Sequence, residues 1–482
     1  SFYGMKALLF LYITKHHLFA DDPAYDLIGA YGGLVYAVPV IGGVIADRVL
    51  GMRKAVLLGG VLLCCGHFGL AYEGSAATIV DGVVVRDAFA LQVFYFSLAL
   101  IVVGVGFLKP NISTIVGRLY AENDPRRDSG FTIFYAGINV GALLSSLVCG
   151  YLGETYGWRY GFGAAGVGML LGLAQFLVGQ KHLHGYADAP QPQALKRKVF
   201  GPLDVERGIY LGAVAGVALC WILLQRAWTV QGAMHVVSFV FSCWFVWYLA
   251  KKCDRVQRAQ MISLMVLILW CLVFFTMYEQ TYGSWLAFND RLMTKNLVGF
   301  DLSAGALTFL GSFWLVLLSP PAAWLWPWLE RRGLNPSKPV KSALGLAIGG
   351  LAFLPLVAAT NTVGASAIAS VWWIVLAYLV LEIAEVCISP IGLSAVTQLS
   401  PPRVVALMMG AWFLATAYSE VLAAAFGKLS SIDVGLGEVA DPVQAAAAYR
   451  HLFWIMTWIG LGSGVLALML APWIRRGMHG VK

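Results

Sequence analysis

Lys6, Lys109, Glu279, Glu382 and Glu385 each lie inside a run of apolar residues long enough to cross a bilayer. An ionisable group at that depth is costly unless it faces water or a partner, so such residues mark a functional site by default. The two cations fall in the first half of the chain and the three acids in the second. A cavity lined from both halves would be positive on one wall and negative on the other, which suits a zwitterion. Glu382 and Glu385 are three apart and share a helix face, with Ser389 and Pro390 one turn further on. Pro390 leaves the carbonyl of Val386 without its helical partner, as Pro110 does for Gly106 beside Lys109. A kink is expected at both, with the freed carbonyl lining a cavity. The structural alternative is that intramembrane Lys and Glu residues merely hold two bundles together. His16, His17, His67 and His235 show no metal-ligand spacing, and no nucleophile–base arrangement stands out.

The elements that must position these residues follow from composition. Of 482 residues only 12% are charged, against about 25% in a typical soluble domain. Hydrophobic residues make up 59% and the mean hydropathy is +0.75, more apolar surface than a water-soluble chain of this length encloses. That excludes a soluble enzyme. The net charge of +8 lies in short clusters between apolar runs, which fits membrane topology rather than nucleic acid. Seven of the eight cysteines sit in apolar runs, all but Cys253, so neither a disulfide framework nor a zinc site is expected.

About 14 apolar runs can be drawn, giving an all-α polytopic membrane protein. Six occupy about 1–19, 26–46, 53–72, 89–118, 129–152 and 160–180, so residues 1–180 read as an N-terminal six-helix bundle. A polar, Pro-containing stretch at 181–207 reads as a solvent-exposed cytoplasmic linker. Two further runs lie within 208–250, and the last six, within 251–482, form a C-terminal bundle at about 261–288, 303–328, 339–360, 368–398, 405–428 and 449–473. Assigning alternate loops to opposite sides puts 23 Lys and Arg on one side and 8 on the other, leaving Lys6 and Lys109 within spans. This asymmetry predicts cytoplasmic termini at a bacterial inner membrane. The sequence opens at Ser1 inside an apolar segment, so the first helix is expected to be truncated. GxxxG spacings at Gly29/Gly33, Gly345/Gly349 and Gly460/Gly464 predict close helix crossings.

Several segments resemble a known family. GGVIADRVLGMRK, with Asp47, Arg48 and Gly51, looks like the cytoplasmic-loop signature of the major facilitator superfamily, in which an Asp and nearby cations latch the inner face. GVGFLKPNIST, FTIFYAGINVGALLSS and EVCISPIGLS together resemble the proton-dependent oligopeptide transporter family, and SFYGMK resembles its first helix just after an ExxERF motif. The resemblance covers essentially the whole chain. It implies two six-helix bundles plus two extra central helices, and a proton-coupled symporter of di- and tripeptides.

Carried over by position, the resemblance implies that Lys6 and Lys109 attract the peptide carboxylate, with Lys109 also coupled to Glu279, the proton-sensitive acid. Glu385 would hold the peptide amino terminus and Asn139 the peptide backbone. Tyr3, Tyr36 and Trp412 would line the cavity. Tyr135 shares a face with Asn139, and Glu382 and Ser389 are further cavity candidates. This chain has Trp314 where relatives often place an Asn, and Phe2 in place of a common tyrosine, both making the pocket more apolar. Protons are the only coupling ion expected, with no other cofactor, no metal, no nucleic-acid partner and a monomeric state in lipid.

A dipeptide spans roughly 7 Å at about 3.5 Å per residue, so a cation on one bundle and an anion on the other can clamp its ends. Rocking of the two bundles around a midplane site then gives alternating access. An anion carrier, for nitrate or a carboxylate, is the alternative transport reading. Glu382 and Glu385 oppose it, because a negative wall repels an anion. A membrane enzyme or a receptor would need a catalytic cluster or a soluble signalling domain, and neither pattern is present.

Overall fold

A computed structural model of the chain describes residues 1–120, 124, 126–200, 203–364, 368–388, 392–432 and 441–480. Twelve helices among the described residues are long and apolar enough to cross a membrane. The two remaining expected spans are Phe2–Leu11, continued by the π-helical turn Tyr12–His16, and Trp372–Ile388, followed by Gly392–Leu399. Helix is the only open architecture available here, because a bilayer offers no water to satisfy backbone N–H and C=O groups. Several helix starts are fixed by acidic caps: Asp87 accepts the Ala90 N–H at 3.0 Å, Asp204 that of Arg207 at 2.8 Å and Asp254 that of Gln257 at 2.8 Å. Three short antiparallel hairpins, which composition gave no reason to expect, close loops at 78–85, 198–204 and 296–301.

The chain divides into two compact units. The first comprises Ser1–Phe19 and Ala30–Val230. In it the helices Met52–Leu70 and Ala88–Arg118 pack along their length, and Phe2–Leu11 lies against Arg126–Tyr156. Val205–Leu224, the first of the two extra helices, also belongs here, with Trp221 edge-on to Phe96 at 6.1 Å. The second unit comprises Ala20–Gly29 and Gln231–Lys482. Residues 20–29 are held in it by ions: Arg291 donates to both oxygens of Asp21 at 2.6 and 2.7 Å, and Lys428 pairs with Asp26 at 2.5 Å. The second extra helix joins this unit through Gln231, which donates to Asp26 at 2.7 Å, and His235, 2.7 Å from the Tyr418 hydroxyl. Gly460 and Gly350 meet backbone to backbone, so the expected close crossing at Gly460 is present.

Residues 181–207 differ from the expected solvent-exposed linker. Ala187 and Leu195 are only 1% and 3% exposed, and Ala187 packs with Met52, Val56 and Ile115, against which Leu183 also rests. The reason is that the polar stretch carries a few spaced apolar side chains, enough to seat it on the start of the helix Met52–Leu70. The Arg53 N–H donates to the Ala187 carbonyl at 2.8 Å, and ion pairs Arg53–Asp188 at 2.7 Å and Lys54–Glu206 at 2.6 Å flank it.

Candidate functional site

The helix Ala88–Arg118 presents Lys109 at its surface, and the ammonium stands 4.1 Å from the centre of the Tyr36 ring. At that distance the ring quadrupole attracts the cation. A close helix crossing makes the pair possible: the Gly106 carbonyl rests directly on Gly42, where any side chain would collide. The helix continues through Pro110 as far as Arg118. Thus the carbonyl that Pro110 frees meets the Gly42 backbone, instead of opening onto a cavity as expected. The hydroxyls of Ser113 and Thr114 donate to the Pro110 carbonyl at 3.0 and 2.9 Å.

Lys6 is 3% exposed on the helix Phe2–Leu11. Tyr3, one turn earlier, is half-buried and edge-on to Phe2 at 5.4 Å, and Phe2 stacks on Tyr31 at 6.5 Å. The phenylalanine thus takes part in an aromatic group. Asn139 donates to the carbonyl of Tyr135 at 2.9 Å, and Tyr135 is itself exposed. Lys6, Lys109, Tyr3, Tyr36, Tyr135 and Asn139 all belong to the first unit.

The acids belong to the second unit. Glu279 opens the 3-10 turn Glu279–Tyr282 that ends the helix Arg255–Tyr278, and it is half-buried. That turn is anchored by its neighbour Gln280, which donates to the Ala423 carbonyl at 2.8 Å and accepts from the Ser284 hydroxyl at 2.6 Å. On the helix Trp372–Ile388, Glu382 is fully buried and Glu385 is 8% exposed. The Tyr278 hydroxyl donates to Glu382 at 3.3 Å. Trp412 and Trp314 are half-buried, the latter edge-on to Phe313 at 5.2 Å. Ser389 and Pro390, and the kink expected at them, lie outside the described residues.

Tyr278 and Gly311 are functional neighbours that sequence reasoning missed. Tyr278 immediately precedes Glu279, yet its partner is an acid more than a hundred positions away. Gly311 faces Glu382 closely enough that a Cβ there would stand 3.1 Å from Glu382 Oε1. Neither relation leaves a local signal.

In the segment 42–54, Asp47 pairs with Arg118 at 3.8 Å and not with the adjacent Arg48, which is exposed. Gly51 adopts φ +82°, a conformation reserved almost entirely for glycine. A Cβ on it would approach the Ala189 nitrogen to 2.5 Å. Among the described residues no group of three His, Cys, Asp or Glu converges as a metal site.

A family model described as the POT family matches residues 53–433. The chain is 33% identical to an uncharacterized transporter, YclF, of Bacillus subtilis, covering 100% of this chain and 92% of that one. It is 31% identical to dipeptide and tripeptide permease A of Cronobacter turicensis, covering 99% of this chain and 90% of the relative. Among solved structures, a mutant peptide transporter POT in complex with alafosfalin superposes with a TM-score of 0.81 at 32% identity, over 99% of this chain and 93% of that one.

Proposed function

The chain belongs to the POT family, a family of multi-pass all-α transporters, and on that footing we propose that it imports di- and tripeptides together with protons across a bacterial inner membrane. The observation that carries the reading is the segregation of the charges that lie within apolar spans. Lys6 and Lys109 lie in one compact unit, and Glu279, Glu382 and Glu385 in the other. A peptide is a zwitterion, so its carboxylate is drawn to the lysines and its ammonium to Glu385. An anion such as nitrate would gain nothing from the acids, and no relative reported above carries a name that favours it.

In this reading Lys109 receives the carboxylate while Tyr36 holds the ammonium of the lysine in place through its ring. Asn139 offers an amide to the peptide backbone, and Trp412, Trp314 and Tyr3 supply apolar contact. Glu279 is the proton-sensitive acid: when it takes up a proton, its hold on cationic partners weakens and Lys109 is free for the substrate. Asp47, Arg118 and Gly51 belong to the cytoplasmic framework instead of the substrate site.

The test is uptake of labelled dialanine into liposomes holding the purified protein, with and without an inward proton gradient. Accumulation that needs the gradient and is blocked by unlabelled tripeptide is expected. Uptake indifferent to the gradient removes proton coupling, and uptake of nitrate without peptide overturns the reading.

A further inference from the structure

The helix Trp372–Ile388 carries an acid for which peptide binding by Glu385 has no direct need. Glu382 has 0% exposure, and its Oε2 meets no N–H or O–H donor among the described residues. Its Oε1 accepts from Tyr278, and the absent side chain of Gly311 leaves room for it. The carboxyl of Glu385, one turn along the same helix, lies within its hydrogen-bond reach.

The titratable groups facing Glu382 come from several elements. On its own helix they are Glu385 and Tyr378. From Arg255–Tyr278 comes Tyr278, with Glu279 next in sequence. The helix Phe309–Arg331 presents Gly311, its ionisable residues Glu330 and Arg331 lying five turns away at its far end. The helix Lys338–Leu351 carries Lys338 and Lys341 in its first turn, the latter near Cys387. The helix Leu354–Thr360 carries none. Among the described residues, no cation stands among the groups acting on Glu382.

Two ionised carboxylates at hydrogen-bond distance set lone pairs against lone pairs and like charge against like charge, and burial removes the water that would screen them. A proton between them resolves both conflicts. We propose that Glu382 and Glu385 share one proton, with Glu382 acting as a positioning residue that sets the charge and aim of Glu385 toward a primary ammonium. This rests on the peptide reading for its ligand, though not for the pair itself. The pair carries one negative charge, enough for one ammonium. When the ammonium arrives, its positive charge favours loss of the shared proton. The O–H bond breaks, the proton passes to water, and the pair goes from one negative charge to two. Substrate binding thereby releases a proton at this end of the site.

The test joins infrared spectroscopy with calorimetry on the purified protein. At pH 7 the wild type should show a protonated carboxyl band, sensitive to deuterium exchange, that is lost in Glu382→Gln and shifted in Glu385→Gln. Dialanine binding, measured in two buffers of different ionisation heat, should release fewer protons per peptide in Glu382→Gln, by up to about one. The glutamine keeps the shape and an oxygen for Tyr278, so a packing role alone would leave both readouts unmoved. A wild type without the band overturns the proposal, and so does a band that Glu382→Gln leaves intact. If Glu382→Gln does not fold, the wild-type band and its shift in Glu385→Gln still decide. If the wild type binds no dialanine, the peptide reading fails while the infrared result stands by itself.

Discussion

Lys109 sets its ammonium against an aromatic face, and this bears on what it can do. The ring of Tyr36 at 4.1 Å attracts the ammonium through its quadrupole and fixes where the charge sits. Replacing Tyr36 by Leu should therefore weaken dialanine binding by about 2- to 30-fold, the range that a contact of about 0.5–2 kcal/mol implies. Tyr36→Phe, which keeps the ring, should lose much less, and equal loss in the two would assign the effect to the hydroxyl. Lys109→Ala should abolish gradient-driven uptake, and wild-type uptake in that variant would remove Lys109 from the site. Glu385→Gln should weaken binding of peptides with a free amino terminus and hardly affect N-blocked ones, so equal loss for both would sink its role. All five charges within apolar spans were legible in sequence, because the cost of placing a charge at bilayer depth is a property of each residue alone. Their partners were not. Tyr278 reaches Glu382 across 104 positions, and Gly311 matters only for the side chain it lacks.

Among the elements, the segment after the sixth helix behaves as a strap. Its apolar residues Leu183, Ala187 and Leu195 were visible in sequence, yet diluted among charges they gave no periodicity from which docking could be read. Gly51 is what receives it: with φ +82° and no room for a Cβ beside Ala189, Gly51→Ala should cost about 1–3 kcal/mol in backbone strain alone. The expected readout is a lower melting temperature together with faster proteolysis between Lys196 and Lys198, and unchanged proteolysis would show that the strap does not depend on the glycine. The ion pair Arg53–Asp188 is more than a third exposed on both sides, so Asp188→Asn should change stability much less than Gly51→Ala. The opposite end of the first unit has a device of another kind. Asp87 caps the helix Ala88–Arg118, and the N–H groups of Ala90 and Ser75 hold its carboxyl below the usual carboxylate range. The folded value lies below the unfolded one, so the stabilisation is present above the unfolded value and is lost as pH falls through the folded one. Hydrogen exchange at Ala90 should thus be slow and pH-independent in protection near neutrality, and should quicken in Asp87→Ala. Protection unaltered in that variant would show that the cap contributes nothing.

For the whole molecule, the distribution of Lys and Arg and the parity of the helices make one joint statement about orientation. The spans were legible because each had to be apolar over most of its length, and among the described residues twelve are helical stretches long and apolar enough to cross a membrane. The hairpins between them were not, since strands of two or three residues carry no period. One of those hairpins now provides a test. Between the hairpin Thr78–Val85 and residue 193 the chain passes through Ala88–Arg118, Arg126–Tyr156 and Trp158–Gly179, three spanning helices and hence an odd number. The two positions must therefore face opposite sides of the membrane, whichever way the protein is inserted. From the cation count, 23 against 8, residue 193 is expected on the cytoplasmic side. Val83 is 63% exposed and Gln193 is exposed, so cysteines introduced there are open to reagents. In intact cells stripped of their outer barrier, a membrane-impermeant maleimide should label Val83→Cys and should reach Gln193→Cys only after lysis. Cys65 and Cys243, the exposed native thiols, lie within spans and should react with neither protocol. Labelling of both introduced sites in intact cells would break the three-helix parity, while the reversed pattern would keep the fold and invert its insertion, turning the proposed importer to face the other compartment.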